Sequence, residues 1–310
     1  LTEAIVYLSR QEVAGLLPPI AEQIDLVERV YRAMAAGRVE LPPKPGVHPR
    51  ENAFIHAMPA YLADDDVAAV KWVAGFPANK ERGLPYISGL IVVNDAETGF
   101  PLAVMDAAEI TAARTAAASG VCIRRWAPEG WARAAIVGCG EQGRYHARVI
   151  GALNPEATIR AYDVHPDRAR TLDGRVEVAA SMREAVADAE VIVTGIPIAE
   201  RPEPVIDTEA LGETYVALPL DFDASFQVGP IADAGLFVSD DVAQFEYYRS
   251  RGHFHGWPEP HGSVGEALER GDEAKRVACC NLGVGALDAA FGKAVLDRAV
   301  QAGAGTLLAR

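Results

Sequence analysis

The apolar positions of the chain follow two regimes. From Ile20 to Ala36 they recur at helical spacing, with Ile24, Val27, Val30, Tyr31 and Met34 on one face and Gly37 as a stop. Before this helix, Ser9-Arg10-Gln11-Glu12 has the form of a capping box and predicts a short helix ending near Leu17, where Pro18 and Pro19 block it. Extended runs punctuated by proline follow: Leu41 to Pro45, Ala53 to Tyr61 and Val67 to Phe76. Ile87 to Asp95 and Phe100 to Asp106 then flank Ala96-Glu97-Thr98-Gly99, which predicts a hairpin. The first third therefore reads as a mostly antiparallel sheet with helices, and the Ala-rich Ile110 to Trp126 as a helix leading out of it.

From residue 133 onward short apolar runs alternate with helical patterns. The runs are Ala135 to Val137, Thr158 to Tyr162, Val176 to Ala179, Val191 to Gly195, Tyr215 to Leu218 and Leu236 to Ser239. They predict a doubly wound parallel sheet, so the fold class is α/β with a Rossmann-type half beside an α+β half. Ser181-Met182-Arg183-Glu184 reads as a second capping box, before the fourth run. Gly285 to Ala302 is a last amphipathic helix, with Leu287, Phe291, Val295, Leu296 and Ala299 along it. With no seventh strand to serve, it is expected to cross back onto the first half. The division expected is residues 1–118 with 284–310, and 119–283.

Composition narrows the class. Half of the 310 residues are hydrophobic and 23% are charged, which leaves material for a large core. No run of 18 apolar residues and no basic-then-apolar leader is present, so a soluble, cytoplasmic protein is expected. Cys122, Cys139, Cys279 and Cys280 lack C-x-x-C spacing, which argues against a disulfide framework or a zinc site. His253, His255 and His261 have no carboxylate or cysteine support and read as a loop, not a metal site. A formal charge of -14 speaks against a nucleic-acid or anionic-membrane surface, so an anionic substrate would need a local cluster of cations.

The strongest chemical signal is Arg133 to Gly143, an apolar run closing on Gly138-Cys139-Gly140-Glu141-Gln142-Gly143. Ala147, Ile150 and Leu153 then fall on one helical face, so the turn sits between strand and helix as a dinucleotide fingerprint requires. Gly138 allows the tight turn, Gly140 lets backbone N–H groups approach a pyrophosphate, and Gly143 lets the helix pack closely. The next run ends at Asp163, where an acid would bond the adenine ribose hydroxyls and favour NAD over NADP. His165, Arg168 and Arg170 are near enough in sequence to temper that preference.

Outside this motif three cations stand out: Lys44 between prolines, Lys71 in the apolar run Lys71-Trp72-Val73-Ala74-Gly75-Phe76, and Arg114 among alanines. Each has an ordinary reading as a solvated side chain. A guanidinium with small neighbours nonetheless has room for a carboxylate, held bidentately. Asp221 and Asp223 follow the fifth run at its carboxyl end, where such folds bind ligands, and either a helix cap or a proton carrier fits there.

Taken in order, these segments resemble the ornithine cyclodeaminase and mu-crystallin family. The resemblance rests on Pro42-Pro43-Lys44, Ala57-Met58-Pro59-Ala60-Tyr61, Lys71-Trp72-Val73 with Phe76-Pro77-Ala78-Asn79, Gly83-Leu84-Pro85, Asn94-Asp95 with Thr98-Gly99, and Ile110 to Ala117. The glycine turn and Gly283-Val284-Gly285-Ala286-Leu287-Asp288 extend it over nearly the whole chain. It implies a homodimer whose first domain, completed by the last helix, supplies the interface and the substrate site.

It further implies that Lys44 and Arg114 hold a substrate carboxylate, that Lys71 lies by the reacting carbon and that Asp221 handles protons. Asn79 and His56 join the substrate set; Arg114, Thr115, Gly138, Cys139, Gly140, Gln142, Gly143, Asp163 and Gly195 form the cofactor set. Two departures matter. Cyclodeaminases carry a glutamate at the place of His56, where it receives the distal amine of ornithine, and the Asp221 segment lacks their Gly-Gly-Asp form, which leaves Asp223 as an alternative acid. The functions implied are an NAD(P)-dependent amino-acid dehydrogenase or imine reductase, a cyclodeaminase that uses NAD+ catalytically, or a non-catalytic ligand-binding protein.

Overall fold

The computed structural model describes residues 4–198 and 202–309; the outermost residues of the expected domains, 1–3 and 310, lie outside these, as do 199–201. In chain order the first strands are β1 (Ala4–Leu8), β2 (Val39–Glu40), β3 (Gly46–Val47), β4 (Phe54–Leu62), β5 (Val67–Gly75), β6 (Ile87–Asp95) and β7 (Pro101–Asp106). Helices Arg10–Leu16 and Ile20–Ala35 come between β1 and β2. The helix Ala108–Trp126 leads to β8 (Arg133–Val137), β9 (Thr158–Tyr162), β10 (Arg175–Val178), β11 (Val191–Thr194), β12 (Tyr215–Pro219), β13 (Leu236–Ser239) and β14 (Arg276–Cys280). Helix Gly285–Ala302 and β15 (Thr306–Ala309) follow. Contacts divide the chain into one unit of Leu1–Arg114 with Gly283–Arg310 and another of Thr115–Leu282.

The first unit holds an eight-stranded sheet in the order β15-β1-β7-β6-β5-β4-β2, with β3 also on β4. Its central pairs are antiparallel, and β1 runs parallel to β7. Along β5 the alternation of a half-buried strand places Val67, Ala69, Lys71 and Val73 on the inner face and Trp72 outward. Helix Gly285–Ala302 packs on that inner face against β4, β5 and β6, and against Ile20–Ala35. A Cβ on Gly285 would come 2.7 Å from the Met58 carbonyl oxygen, so glycine at the first turn permits this approach. Ser9 and Glu12 form the complete capping box expected on Arg10–Leu16.

The second unit is a seven-stranded sheet, all parallel, in the order β10-β9-β8-β11-β12-β14-β13. Its central strands are buried on both faces, which is why they read as unbroken apolar runs. The order reverses beside β8, so the turn after β8 lies at a topological switch point.

Two expectations are corrected, and the first sheet gains two strands. A seventh parallel strand does exist: β14 inserts between β12 and β13. The sheet of the first unit gains β1 and β15, which pair with each other from opposite ends of the chain, Ala4 with Ala309. At Ser181 only half of the box forms: the hydroxyl accepts from Glu184 N, but the Glu184 carboxylate accepts from Ala180 N instead, at 2.7 Å. Among the described residues the second complete box is Ser263 with Glu266.

Candidate functional site

The sequence-predicted residues fall into two sets, one on each unit. On the first, the inner face of β5 presents Lys71, only 1% exposed, to helix Gly285–Ala302. Its Nζ donates to Asp288 Oδ1 at 2.9 Å and lies 2.8 Å from Oδ2, with Thr111 Oγ1 at 3.4 Å. Arg114 Nε donates to the same Asp288 Oδ1 at 3.2 Å. A Cβ on Gly283 would fall 2.3 Å from Arg114 Nη1, so the guanidinium lies directly on that glycine's backbone. Two buried cations thus share one buried carboxylate.

Charges inside this group shift its protonation. Burial, then the neighbouring Arg114 charge, pulls Lys71 down to about 7 against the opposing pull of Asp288, and Lys44 lowers it further. Burial pushes the Asp288 carboxyl up, but the charges of Lys71 and Arg114 outweigh it and hold the group below the usual carboxylate value. His56 lies on the same sheet face, paired with Val73. It stacks on Phe54 at 4.4 Å, and burial followed by the charges of Lys44 and His48 lowers it to about 4, so its imidazole is neutral at pH 7. Asn79 sits in the 3-10 turn Pro77–Arg82, and its amide donates to Pro85 O at 3.0 Å, which closes the loop on itself.

On the second unit each glycine of the turn has a distinct geometry. Gly138 has φ +93, and a Cβ there would meet Gly195 O at 2.5 Å. A Cβ on Gly143 would meet Gly138 O at 2.5 Å, so the helix Glu141–Leu153 packs tightly on its strand. Gly140, the N-cap, has φ -77, and a Cβ there would meet nothing within 4 Å. The protein leaves steric room for a side chain at this place. The open space borders the N-terminus of a 13-residue helix, whose backbone N–H groups and dipole suit a pyrophosphate. The donor set therefore fits a dinucleotide.

Asp163, at the end of β9, accepts from Cys139 N at 2.9 Å and from His165 N at 2.9 Å, with Arg168 Nη1 3.7 Å away. Both oxygens keep a lone pair for a ribose hydroxyl. The Cys139 side chain is buried, and burial followed by the Asp163 charge drives its thiol up to about 12, so it is no nucleophile. The Gln142 side-chain oxygen is buried with no hydrogen-bond partner, and its Cβ lies beside Gly195. His146, fully buried one turn on, contacts Gln142 O at 2.8 Å through Nδ1 and Ser119 Oγ at 2.9 Å through Nε2. Since a carbonyl only accepts, Nδ1 carries the proton, and burial lowers the ring to about 4.

At the carboxyl ends of β11 and β12, Asp221 is 1% exposed and accepts from Thr194 Oγ1 at 2.7 Å, Ile196 N at 3.1 Å and Ser225 Oγ at 2.6 Å. Burial raises it to about 6 although these bonds oppose the rise. Asp223 instead caps Phe254 N at 2.7 Å. Through Ile196 and its neighbour Gly195, Asp221 is joined to the glycine turn; Asp223 is tied to the loop after helix Val242–Ser250. Thr115, the first residue of the second unit, is half-buried. No cluster of His, Cys, Asp or Glu able to hold a metal occurs among the described residues.

Sequence reasoning assigned no role to Asp288, His146, Thr194 or Ser225. For Asp288 a signal existed: it is the single acid within the apolar stretch Val284 to Phe291. An acid inside a buried stripe calls for a buried cation.

Comparison with known proteins adds to this. A model of the ornithine cyclodeaminase/mu-crystallin family matches residues 5–216. The nodulation efficiency protein NfeD of Rhizobium meliloti is 35% identical across 97% of this chain and 98% of its own length. An alanine dehydrogenase of Archaeoglobus fulgidus is 32% identical over 66% of this chain, which spans 63% of that enzyme. In three dimensions, an archaeal alanine dehydrogenase dimer with bound NAD matches with a TM-score of 0.84 at 26% identity, covering 98% of this chain and 99% of that one.

Proposed function

The chain belongs to the ornithine cyclodeaminase/mu-crystallin family, and on that premise we propose that it is an NAD(H)-dependent oxidoreductase exchanging a hydride between nicotinamide and a small amino or imino acid. The observation that carries the cofactor half is the glycine turn after β8, where Gly140 leaves open space at the N-terminus of helix Glu141–Leu153. In this reading Gly138, Cys139, Gly140, Gln142 and Gly143 hold the pyrophosphate, Asp163 the adenine ribose, and Arg114, Thr115 and Gly195 the remainder. Bound NAD supplies the hydride acceptor or donor.

The substrate half follows from the buried charges. Lys44 and Arg114 receive the substrate carboxylate, which is the positioning contribution to the rate. Hydride addition to a C=N or C=O carbon leaves negative charge on the heteroatom, and Lys71, poised near neutrality, delivers the proton there. Asp221, also poised near neutrality, is the second proton-carrying group of this reading; its tie through Ile196 to the segment beside the glycine turn favours it over Asp223, which is tied to Phe254. His56 lines the substrate set as a neutral ring, which favours a substrate without a distal amine. Asn79 contributes by closing the loop that ends at Pro85.

Assembly as a homodimer is supported by the outer face of the first sheet, where Tyr7, Trp72, Leu90 and Leu308 are exposed at 37%, 51%, 43% and 45%. Apolar faces of this kind are characteristic of contact surfaces. Free thiols at all four cysteines suit a reducing compartment, the cytoplasm, and no helix among the described residues is long and apolar enough to cross a membrane.

The test is NADH oxidation with 2-oxo acids plus ammonium or methylamine and with cyclic imines, alongside ornithine and lysine. Turnover of an imine or amino acid with stoichiometric change in NADH is expected. Ammonia release from ornithine without net change in NADH would replace the proposal with a cyclodeaminase.

A further inference from the structure

We propose that Asp288 is a positioning residue that holds Lys71 and Arg114 in one buried triad and thereby decides the protonation state in which Lys71 meets the substrate. The inference rests on the reading of Lys71 as proton donor, and it adds a residue and a pH dependence to it. Three elements converge on one point: β5 brings Lys71, helix Ala108–Trp126 brings Arg114, and the first turn of helix Gly285–Ala302 brings Asp288. The carboxylate is 1% exposed, and one of its oxygens takes both Lys71 Nζ at 2.9 Å and Arg114 Nε at 3.2 Å. The fold is shaped for this. Gly285 lets the helix start approach β4, and Gly283 leaves the space that the Arg114 guanidinium fills.

The charged groups facing Lys71 are Arg114 from one helix, Asp288 from the other and Lys44 from the proline-rich segment, with His56 on the same sheet face. Without Asp288 the balance would be three cations and no anion. Arginine keeps its proton under all accessible conditions, so the charge that yields is Lys71. Burial and Arg114 already bring Lys71 to about 7; Asp288 is what opposes them. With the carboxylate replaced by an isosteric amide, Lys71 would be largely neutral at pH 7 and could not donate a proton. With Arg114 neutralised, the shift would have the opposite sign. A merely structural ion pair predicts loss of stability in both variants and no such opposition.

The experiment reads Lys71 directly and does not depend on turnover. The chain contains few lysines, Lys44, Lys71, Lys80, Lys275 and Lys293, so ε-13C-lysine NMR resolves them, with Lys71→Arg assigning the signal. In the apo protein the Lys71 midpoint is expected near 7. Asp288→Asn should lower it by about one unit or more and Arg114→Gln should raise it, each unit being a tenfold change in the protonation equilibrium. In steady-state reduction the alkaline limb of kcat/KM should move to lower pH by the same amount in Asp288→Asn.

A wild-type midpoint above about 9, in the range of ordinary lysines, would overturn the proposal. So would a midpoint unmoved by Asp288→Asn. If Asp288→Asn does not fold, Arg114→Gln decides, since an unmoved or lowered midpoint there breaks the triad argument. Should the NMR shifts appear while no substrate changes NADH, the role of Asp288 stands and the assigned reaction fails.

Discussion

Gly140 and Gly143 stand three residues apart in one turn, yet they should fail differently when changed to alanine. At Gly140 the backbone has φ -77 and a Cβ would meet nothing within 4 Å, so alanine fits the apo protein. The cost is that of a poorer N-cap, roughly 1 kcal/mol or less. That corresponds to a fall in Tm of no more than about 4 °C for a domain of this size. In the proposed reading the methyl group would instead occupy the space where the pyrophosphate meets backbone N–H groups. Loss of one charge-assisted hydrogen bond is worth about 2 kcal/mol, so NADH affinity should weaken by roughly 30-fold or more.

At Gly143 the added Cβ lies 2.5 Å from the Gly138 carbonyl oxygen, a backbone atom that no rotamer change can move. Overpacking of this kind costs about 1–3 kcal/mol, partly offset by better helix propensity, so here Tm and NADH affinity should fall together. Fluorescence titration with NADH and thermal melts of both variants check the pair. Wild-type NADH affinity in Gly140→Ala would refute the cofactor assignment, because the open space beside Gly140 would then not be where the pyrophosphate sits.

Lys71→Ala should lower kcat by about 100-fold or more on a confirmed substrate, while Lys44→Ala and Arg114→Ala should mainly raise KM. Near-normal kcat in Lys71→Ala together with loss of activity in Asp221→Asn would transfer the chemistry to the carboxylate. NADH should be preferred to NADPH because of the Asp163 carboxylate, and Asp163→Ser should narrow the ratio measured in parallel assays, helped by Arg168 nearby. Light scattering should show a dimer of the 33.0 kDa chain, and Trp72→Lys with Leu90→Lys should shift it to monomer. A wild-type chain that stays monomeric at micromolar concentration would exclude that interface.

How far the fold was legible depended on how local its causes are. The strands β8, β11 and β12 are buried on both faces, so their apolar runs stood out and their alternation with helices marked a doubly wound sheet. β14 escaped because it follows the irregular stretch after Ser250, and because it inserts between β12 and β13 against chain order. Helix Val264–Arg270, with its Ser263 box, sits in the same stretch and went unread for the same reason. β1 and β15 lie at an edge, β15 is exposed along its length, and their pairing joins residues from the two ends of the chain. No local pattern encodes such a contact.

The site divides along the same line. The glycine turn could be assigned because its pattern is local, with Gly143 packed against Gly138 inside the turn itself, although Gly138 also meets Gly195 at the end of the adjacent strand. Lys71 and Arg114 could be picked out as cations in apolar or small-residue surroundings, but the sequence offered two readings for each, solvated or buried. What separates them is a carboxylate 217 positions beyond Lys71 and 174 beyond Arg114. Burying two cations costs several kcal/mol apiece, so a fold that does so must supply an anion. Once Lys71 is taken as buried, an acid in an otherwise apolar stripe has to exist, and in the last helix only Asp288 lies on that stripe, since Asp297 is half-exposed and pairs with Lys293. Charge neutrality in the interior is a long-range rule, and it reaches residues that periodicity and spacing do not.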